Sequence, residues 1–203
     1  MSDPADRPSN PFATRFTRPG ALPFQFPAGQ SPELLVERLK HQAWRGQIVG
    51  PHGSGKSTLL ASLSPALATS GRQIVLVRLR DKQRRLPPTI DPRSWQADTQ
   101  VLIDGYEQLG LLARFRLQRW QKKLGYGLLV TTHQSVGLPT LWQTEPTPDG
   151  LAAIVAQLLQ RAQLEPAERA LVEAVFDSRR GDLREALFDL FDVFERGQWP
   201  VAR

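Results

Sequence analysis

Residues 50–58 read Gly50-Pro51-His52-Gly53-Ser54-Gly55-Lys56-Ser57-Thr58, a fit to the pattern G-x-x-x-x-G-K-[ST]. Glycines at 50, 53 and 55 let the backbone turn tightly, so that successive N–H groups converge on one concave point. A helix that starts where the turn ends brings its positive N-terminal end to the same place. Such a turn cradles phosphate. Lys56 has the length to reach the outer phosphates of a triphosphate, and the Ser57 hydroxyl suits Mg²⁺. The flanks agree: Gln47, Ile48 and Val49 end a short apolar strand, and Leu59, Leu60, Leu63 and Leu67 place an apolar stripe on the helix that follows. The implied ligand is a nucleoside triphosphate held along the whole loop, Pro51, His52, Ser54 and Thr58 included.

Outward from the loop, strands alternate with helices. Ser31 predicts a helix start, with Pro32 at its first position, running to Trp44. Gln73–Leu79 is a second strand, Gln100–Asp104 a third and Gly127–Thr132 a fourth. A long amphipathic helix is expected over Glu107–Leu124, and Pro139–Trp142 offers a short fifth strand. This order predicts an α/β fold, a three-layer structure with a parallel sheet covered on both faces. From Thr147 the pattern turns wholly helical, with spans at 149–162, 165–176 and 182–195. The expected organisation is a proline- and aromatic-rich segment (1–30), an α/β core (31–146), a small all-helical lid (147–197) and a tail (198–203). In the first segment Pro4, Pro8, Pro11, Pro19, Pro23 and Pro27 exclude helix and central strand. Two readings compete, a disordered tail and an extended strap; Phe12, Phe16, Phe24 and Phe26 favour a strap docked from Phe12 onward, with a partner-binding segment as the alternative.

Composition narrows the class. The 203 residues contain no cysteine, which excludes disulfides and thiolate metal sites, and only three histidines, His41, His52 and His133. No run of eighteen apolar residues suggests a membrane span, and the N-terminus has no apolar signal core, so a cytoplasmic location is expected. The net charge of +6 is uneven. Arg78, Arg80, Lys82, Arg84 and Arg85 crowd one segment, and Arg114, Arg116, Arg119, Lys122 and Lys123 another. Both groups suit nucleic-acid phosphates, and both also read as ordinary solvated faces. The acidic C-terminal part could instead pair with them.

The loop resembles that of the P-loop NTPases, and further segments extend the resemblance over most of residues 31–196. It implies ATP and Mg²⁺ as ligands. Val101-Leu102-Ile103-Asp104 is an apolar strand ending in a carboxylate, which in that family holds the metal opposite the loop serine. Many relatives have Glu directly afterwards, but here the run is Asp104-Gly105-Tyr106-Glu107, similar to the variant found in NACHT-like signalling ATPases. Glu107 is then the expected water-orienting carboxylate, against the alternative that it caps the next helix. The fourth strand ends Thr131-Thr132-His133, where AAA+ ATPases carry a polar residue, sensor 1, facing the γ-phosphate; Thr132 is the first candidate and Thr131 the second.

The segment Gly181-Asp182-Leu183-Arg184-Glu185-Ala186 resembles the sensor 2 helix of clamp-loader and origin-recognition AAA+ lids, which makes Arg184 the arginine that contacts the γ-phosphate. The alternative has Asp182 as a plain helix cap and Arg184 exposed. Departures from the family matter as well. No Lys or Arg lies between Lys123 and Arg161, where the family places its arginine finger, which argues against a self-sufficient hexamer. The GTP-reading NKxD pattern and the LSGGQ helix of ABC ATPases are both absent. The reading is therefore an AAA+-like ATPase, slow or partner-dependent in hydrolysis, acting as a nucleotide-dependent switch or assembly factor with a protein client. The alternatives are a DNA-associated loader or transposition-type helper, and a small-molecule kinase.

Overall fold

The computed structural model describes residues 10–200. Pro4, Pro8 and the last three residues of the expected tail lie outside them. Five strands, β1 (Arg45–Val49), β2 (Gln73–Arg78), β3 (Thr99–Asp104), β4 (Gly127–Thr132) and β5 (Thr140–Gln143), form one sheet in the order β2-β3-β4-β1-β5. All four pairings are parallel. Each strand starts or ends within two residues of its expected position. β4 is buried along its whole length and β3 along all but its last residue, as expected of central strands covered on both faces.

Successive side chains of a strand point to opposite faces, and the two faces have different partners. Val101, Ile103, Leu128 and Val130 share a core with Leu117 of helix α4 (Leu111–Leu124) and with Trp95, Tyr106 and Tyr126. The opposite face meets helices α2 (Pro32–His41) and α3 (Lys56–Thr69), whose buried residues include Leu35 and Leu39 of α2 and Leu59, Leu60, Leu63 and Leu67 of α3. Gly46 of β1 permits close approach there, because a Cβ would lie 3.0 Å from Leu39 Cδ1. Ser31 caps α2 by accepting from Leu34 N, with Pro32 at the first position as expected. The helix ends at His41, three residues short of the expected Trp44. Ala43 and Trp44 have left-handed φ values of 53° and 60°, which no helix continues through.

The expected helix over 107–124 divides. Tyr106–Gln108 make a 3₁₀ turn, Leu109 is extended, and α4 begins only after Gly110. Glu107 is thus not on α4 and does not cap it.

The chain forms two compact units. Of the described residues, the sheet unit comprises 26–51 and 56–144, and the helical unit comprises 10–25, 52–55 and 145–200. In the helical unit, α5 (Pro148–Leu158), α6 (Pro166–Ser178) and α7 (Leu183–Glu195) enclose Leu151, Val155, Val172, Phe176, Ala186 and Leu190. Thr147, Asp182 and a reciprocal Glu165–Glu168 box cap these three helices. Phe12 belongs to this core. It is 1% exposed and lies 5.2 Å, ring to ring, from Trp199. Next to it Asn10 donates to Phe191 O and to Glu195 Oε1. The N-terminal segment is not uniformly extended, however: Thr14–Thr17 form one helical turn, α1, and Phe16 on it is exposed. Pro11 and Pro19 bracket that turn without entering it, so they do not forbid it.

Candidate functional site

Parallel pairing in register brings the carboxyl ends of three strands together. Val49 of β1 is paired with Thr132 of β4, and Ile103 of β3 with Val130. Gly50, Asp104 and His133 therefore leave the sheet side by side, and Gly50 N donates to Thr132 O at 3.2 Å. This is the crevice beyond the strand ends where open α/β sheets bind ligands.

Gly53 and Gly55 take φ values of +67° and +88°, conformations that L side chains rarely adopt, and α3 starts directly afterwards at Lys56. Lys56 is buried and curls back over the loop. Its ammonium donates to Gly50 O at 2.8 Å and Pro51 O at 2.5 Å. A cation is thereby held inside the turn at the N-terminus of a helix, an arrangement that suits a polyphosphate.

One residue on, Ser57 Oγ donates to Asp104 Oδ1 at 2.8 Å. The same Oδ1 accepts from Thr131 Oγ1 at 2.8 Å, and Thr131 Oγ1 in turn accepts from Gly105 N. A hydroxyl and a carboxylate, both hard oxygen donors, thus meet beside the loop. They fit Mg²⁺, which binds through one or two protein oxygens and keeps the rest of its shell for water and phosphate. Among the described residues no cluster of three or more metal-ligating His, Asp or Glu side chains exists. A metal at this place would depend on the ligand's own oxygens.

The two strand-end threonines have different work. Thr131 is tied to Asp104, whereas Thr132 Oγ1 donates to Gln134 O at 2.8 Å and closes the turn after β4. Their order in sequence does not reveal this, since adjacent residues of a strand face opposite ways. Glu107 has come into contact with His133, Oε1 to Nε2 at 3.3 Å, while its Oε2 is buried with no hydrogen-bond partner. A buried carboxylate oxygen with spare acceptor capacity can orient a water.

In the helical unit, Asp182 caps α7 by accepting from Arg184 N and Glu185 N. Its carboxylate also faces the loop segment His52–Gly53. Oδ2 lies 3.2 Å from His52 Nδ1, and a Cβ on Gly53 would fall 1.8 Å from Oδ1. Burial pushes the Asp182 carboxyl up, but the helix N–H groups and His52 outweigh it, and its pKa falls below the ordinary value. Phe24 lies against the same loop, its ring 3.6 Å from the place of a Cβ on Gly55. Neither contact was visible in the sequence, because 130 residues separate His52 from Asp182. Arg184, two residues into the helix, has an exposed side chain. Arg78, Arg80, Lys82, Arg84 and Arg85 are exposed as well.

No family model and no curated protein matches the chain. Solved structures do. RuvB of Thermotoga maritima, a Holliday junction branch migration motor, superposes with a TM-score of 0.53 at 21% identity, over 81% of this chain and 59% of that one. DnaA from Aquifex aeolicus, with AMPPCP bound, superposes with a TM-score of 0.57 at 13% identity, over 85% of this chain and 64% of its own. Both are AAA+ P-loop ATPases, and their fold is the fold of this chain. The chain spans less than two thirds of either neighbour's length.

Proposed function

We propose that this protein is an AAA+-like ATPase that binds Mg-ATP along Gly50–Thr58 and acts as a nucleotide-dependent switch or assembly factor. The observation that carries the reading is the joint placement of Lys56 in the turn and of Ser57 on Asp104. Mg²⁺ would be held by Ser57 and Asp104, with Thr131 fixing the carboxylate. When bound, the metal supplies charge neutralisation between the outer phosphates. Glu107 would orient the attacking water with its free oxygen. Thr132 would serve the γ-phosphate only after its hydroxyl leaves Gln134 O. Arg184 would read the γ-phosphate from the helical unit, and a contact made to ATP but not ADP is what shifts a conformational equilibrium. Hydrolysis unaided would be slow for want of a second arginine.

The test is Mg-ATP binding and hydrolysis measured against protein concentration, with Lys56→Ala as the blank. Tight binding with negligible turnover at every concentration supports a switch that awaits a partner. Specific activity that rises with concentration replaces it with sites shared between copies. Wild-type binding no tighter than the blank refutes the reading. Replacing Arg184 by Ala should leave ATP bound but abolish the difference between the ATP and ADP states.

A second reading, a DNA-associated ATPase, is favoured by one observation: Arg78, Arg80, Lys82, Arg84 and Arg85 are all exposed. Binding of duplex or single-stranded DNA that weakens steeply with salt would support it, and no binding at low salt would end it.

A further inference from the structure

The outer face of α4 has no place in the nucleotide reading, and among the described residues it carries the three most exposed large hydrophobic side chains. Leu111, Leu112 and Phe115 are 81%, 63% and 64% exposed. Leu112 and Phe115 line a groove of about 490 Å³ together with Arg93, Arg116, Arg119 and Trp120. Between Glu107 and Glu145 the sequence holds five basic residues and no acidic one, so nothing on this stretch neutralises the groove. Arg93 is held by both oxygens of Asp91, and Lys123 lies over the Trp120 ring at 5.3 Å. Arg116 and Arg119 have no ion-pair partner among the described residues. Aliphatic side chains exposed to this extent, flanked by uncompensated arginines, mark an interaction site for an apolar, acidic surface.

The chain itself carries such a surface. On α7, Glu185, Phe188, Asp192 and Glu195 recur at helical spacing and are all exposed, with Phe188 between carboxylates. Among the described residues Asp192 is ion-paired only with Arg196, at 3.6 Å in an exposed pair, a contact of little strength. We propose that the α4 face receives a second copy of this chain through the outer face of α7. Phe188 would enter the groove beside Leu112 and Phe115, and Glu185 and Asp192 would pair with Arg116 and Arg119. Nucleic acid is the poorer occupant, since Leu111 and Leu112 offer a phosphodiester nothing and the Trp120 ring is already covered by Lys123. The proposal does not rest on the nucleotide reading, and its test needs no nucleotide.

The experiment is sedimentation equilibrium of the full chain without nucleotide, over about two decades of concentration and at two salt levels. The expected result is reversible self-association that weakens with salt. Phe115→Ser, the double change Arg116→Glu with Arg119→Glu, and the double change Glu185→Lys with Asp192→Lys should each weaken it by at least about tenfold. Mixing the two charge-reversed variants should restore association between them, which no merely structural defect would do. Circular dichroism and thermal melting of each variant identify any that misfold, and Arg116→Gln with Arg119→Gln then takes the place of the reversal. A chain that is monomeric throughout overturns the proposal. So does association indifferent to all of these changes, or an oligonucleotide whose binding is lost in the α4 variants while sedimentation is unaltered.

Discussion

Glu107 Oε1 lies 3.3 Å from His133 Nε2, and the second oxygen of that carboxylate is buried and makes no hydrogen bond. Two residues that follow adjacent strands, β3 and β4, thus converge, His133 fixing one oxygen of the carboxylate and leaving the other available. Glu107→Gln keeps the shape but removes the basic oxygen. Under whatever condition the wild type hydrolyses ATP, alone or with a partner, the substitution should lower turnover by about 10²–10⁴-fold while nucleotide affinity stays within a few-fold of wild type. Single-turnover hydrolysis beside a fluorescent-nucleotide titration measures both, and unchanged turnover would exclude Glu107 from the chemistry.

Ser57 and Asp104 predict a metal effect distinct from a phosphate effect. Ser57→Ala and Asp104→Asn should each weaken Mg-ATP binding by about tenfold, the scale of one lost charged contact. Binding measured in EDTA should hardly change. Calorimetric titrations with and without Mg²⁺ separate the two, and equal losses under both conditions would mean that these residues merely support the loop.

The candidate site is legible in the sequence where its geometry is local and hidden where it depends on register. Gly50–Thr58 and Asp104 stand out because spacing within one turn or one strand constrains them. The division of labour between Thr131 and Thr132 did not, because which of two adjacent residues faces Asp104 is set by how β4 aligns with β3. Gly110 does not stand out as a break, because the apolar pattern continues on both sides of it. The single turn at Thr14–Thr17 is hidden in the sequence because flanking prolines dominate that segment. Among the phenylalanines, composition could not separate Phe12, which is buried, from Phe16, which is exposed.

Phe12 makes the N-terminal segment part of the helical unit's core. Phe12→Ala should destabilise that unit by about 3–5 kcal/mol, the usual range for deleting a buried aromatic ring. Urea unfolding followed by tryptophan fluorescence is a direct measure, since Trp199 adjoins the ring. A loss below about 1 kcal/mol would show that the segment contributes little to the fold.

Glu168 predicts how this unit responds to acid. Its side chain is buried, and burial alone would raise its pKa. Glu165 N, the Trp199 indole and Arg161 all bond to the carboxylate, and together they bring the pKa below the ordinary value. A group whose pKa is lower folded than unfolded stabilises fully above its unfolded value, about 4.3, and ceases to do so as pH falls through the folded one. Stability should therefore decline with acid below that range. Glu168→Gln should lower stability at neutral pH and flatten the acid slope, both read from melts across pH. An unchanged slope would assign acid sensitivity elsewhere.

Asp182 is both the first hydrogen-bond acceptor of a helix and the wall against which a glycine bend is pressed. A side chain at position 53, even a methyl group, has no room unless that wall retreats, and its retreat uncaps the turn that carries Arg184. Shape at the bend and order at the start of α7 are in this sense one variable. Tolerated substitutions at 53 and 182 should come in pairs, and a probe attached beside Arg184 would report a rearrangement of the bend that it never touches.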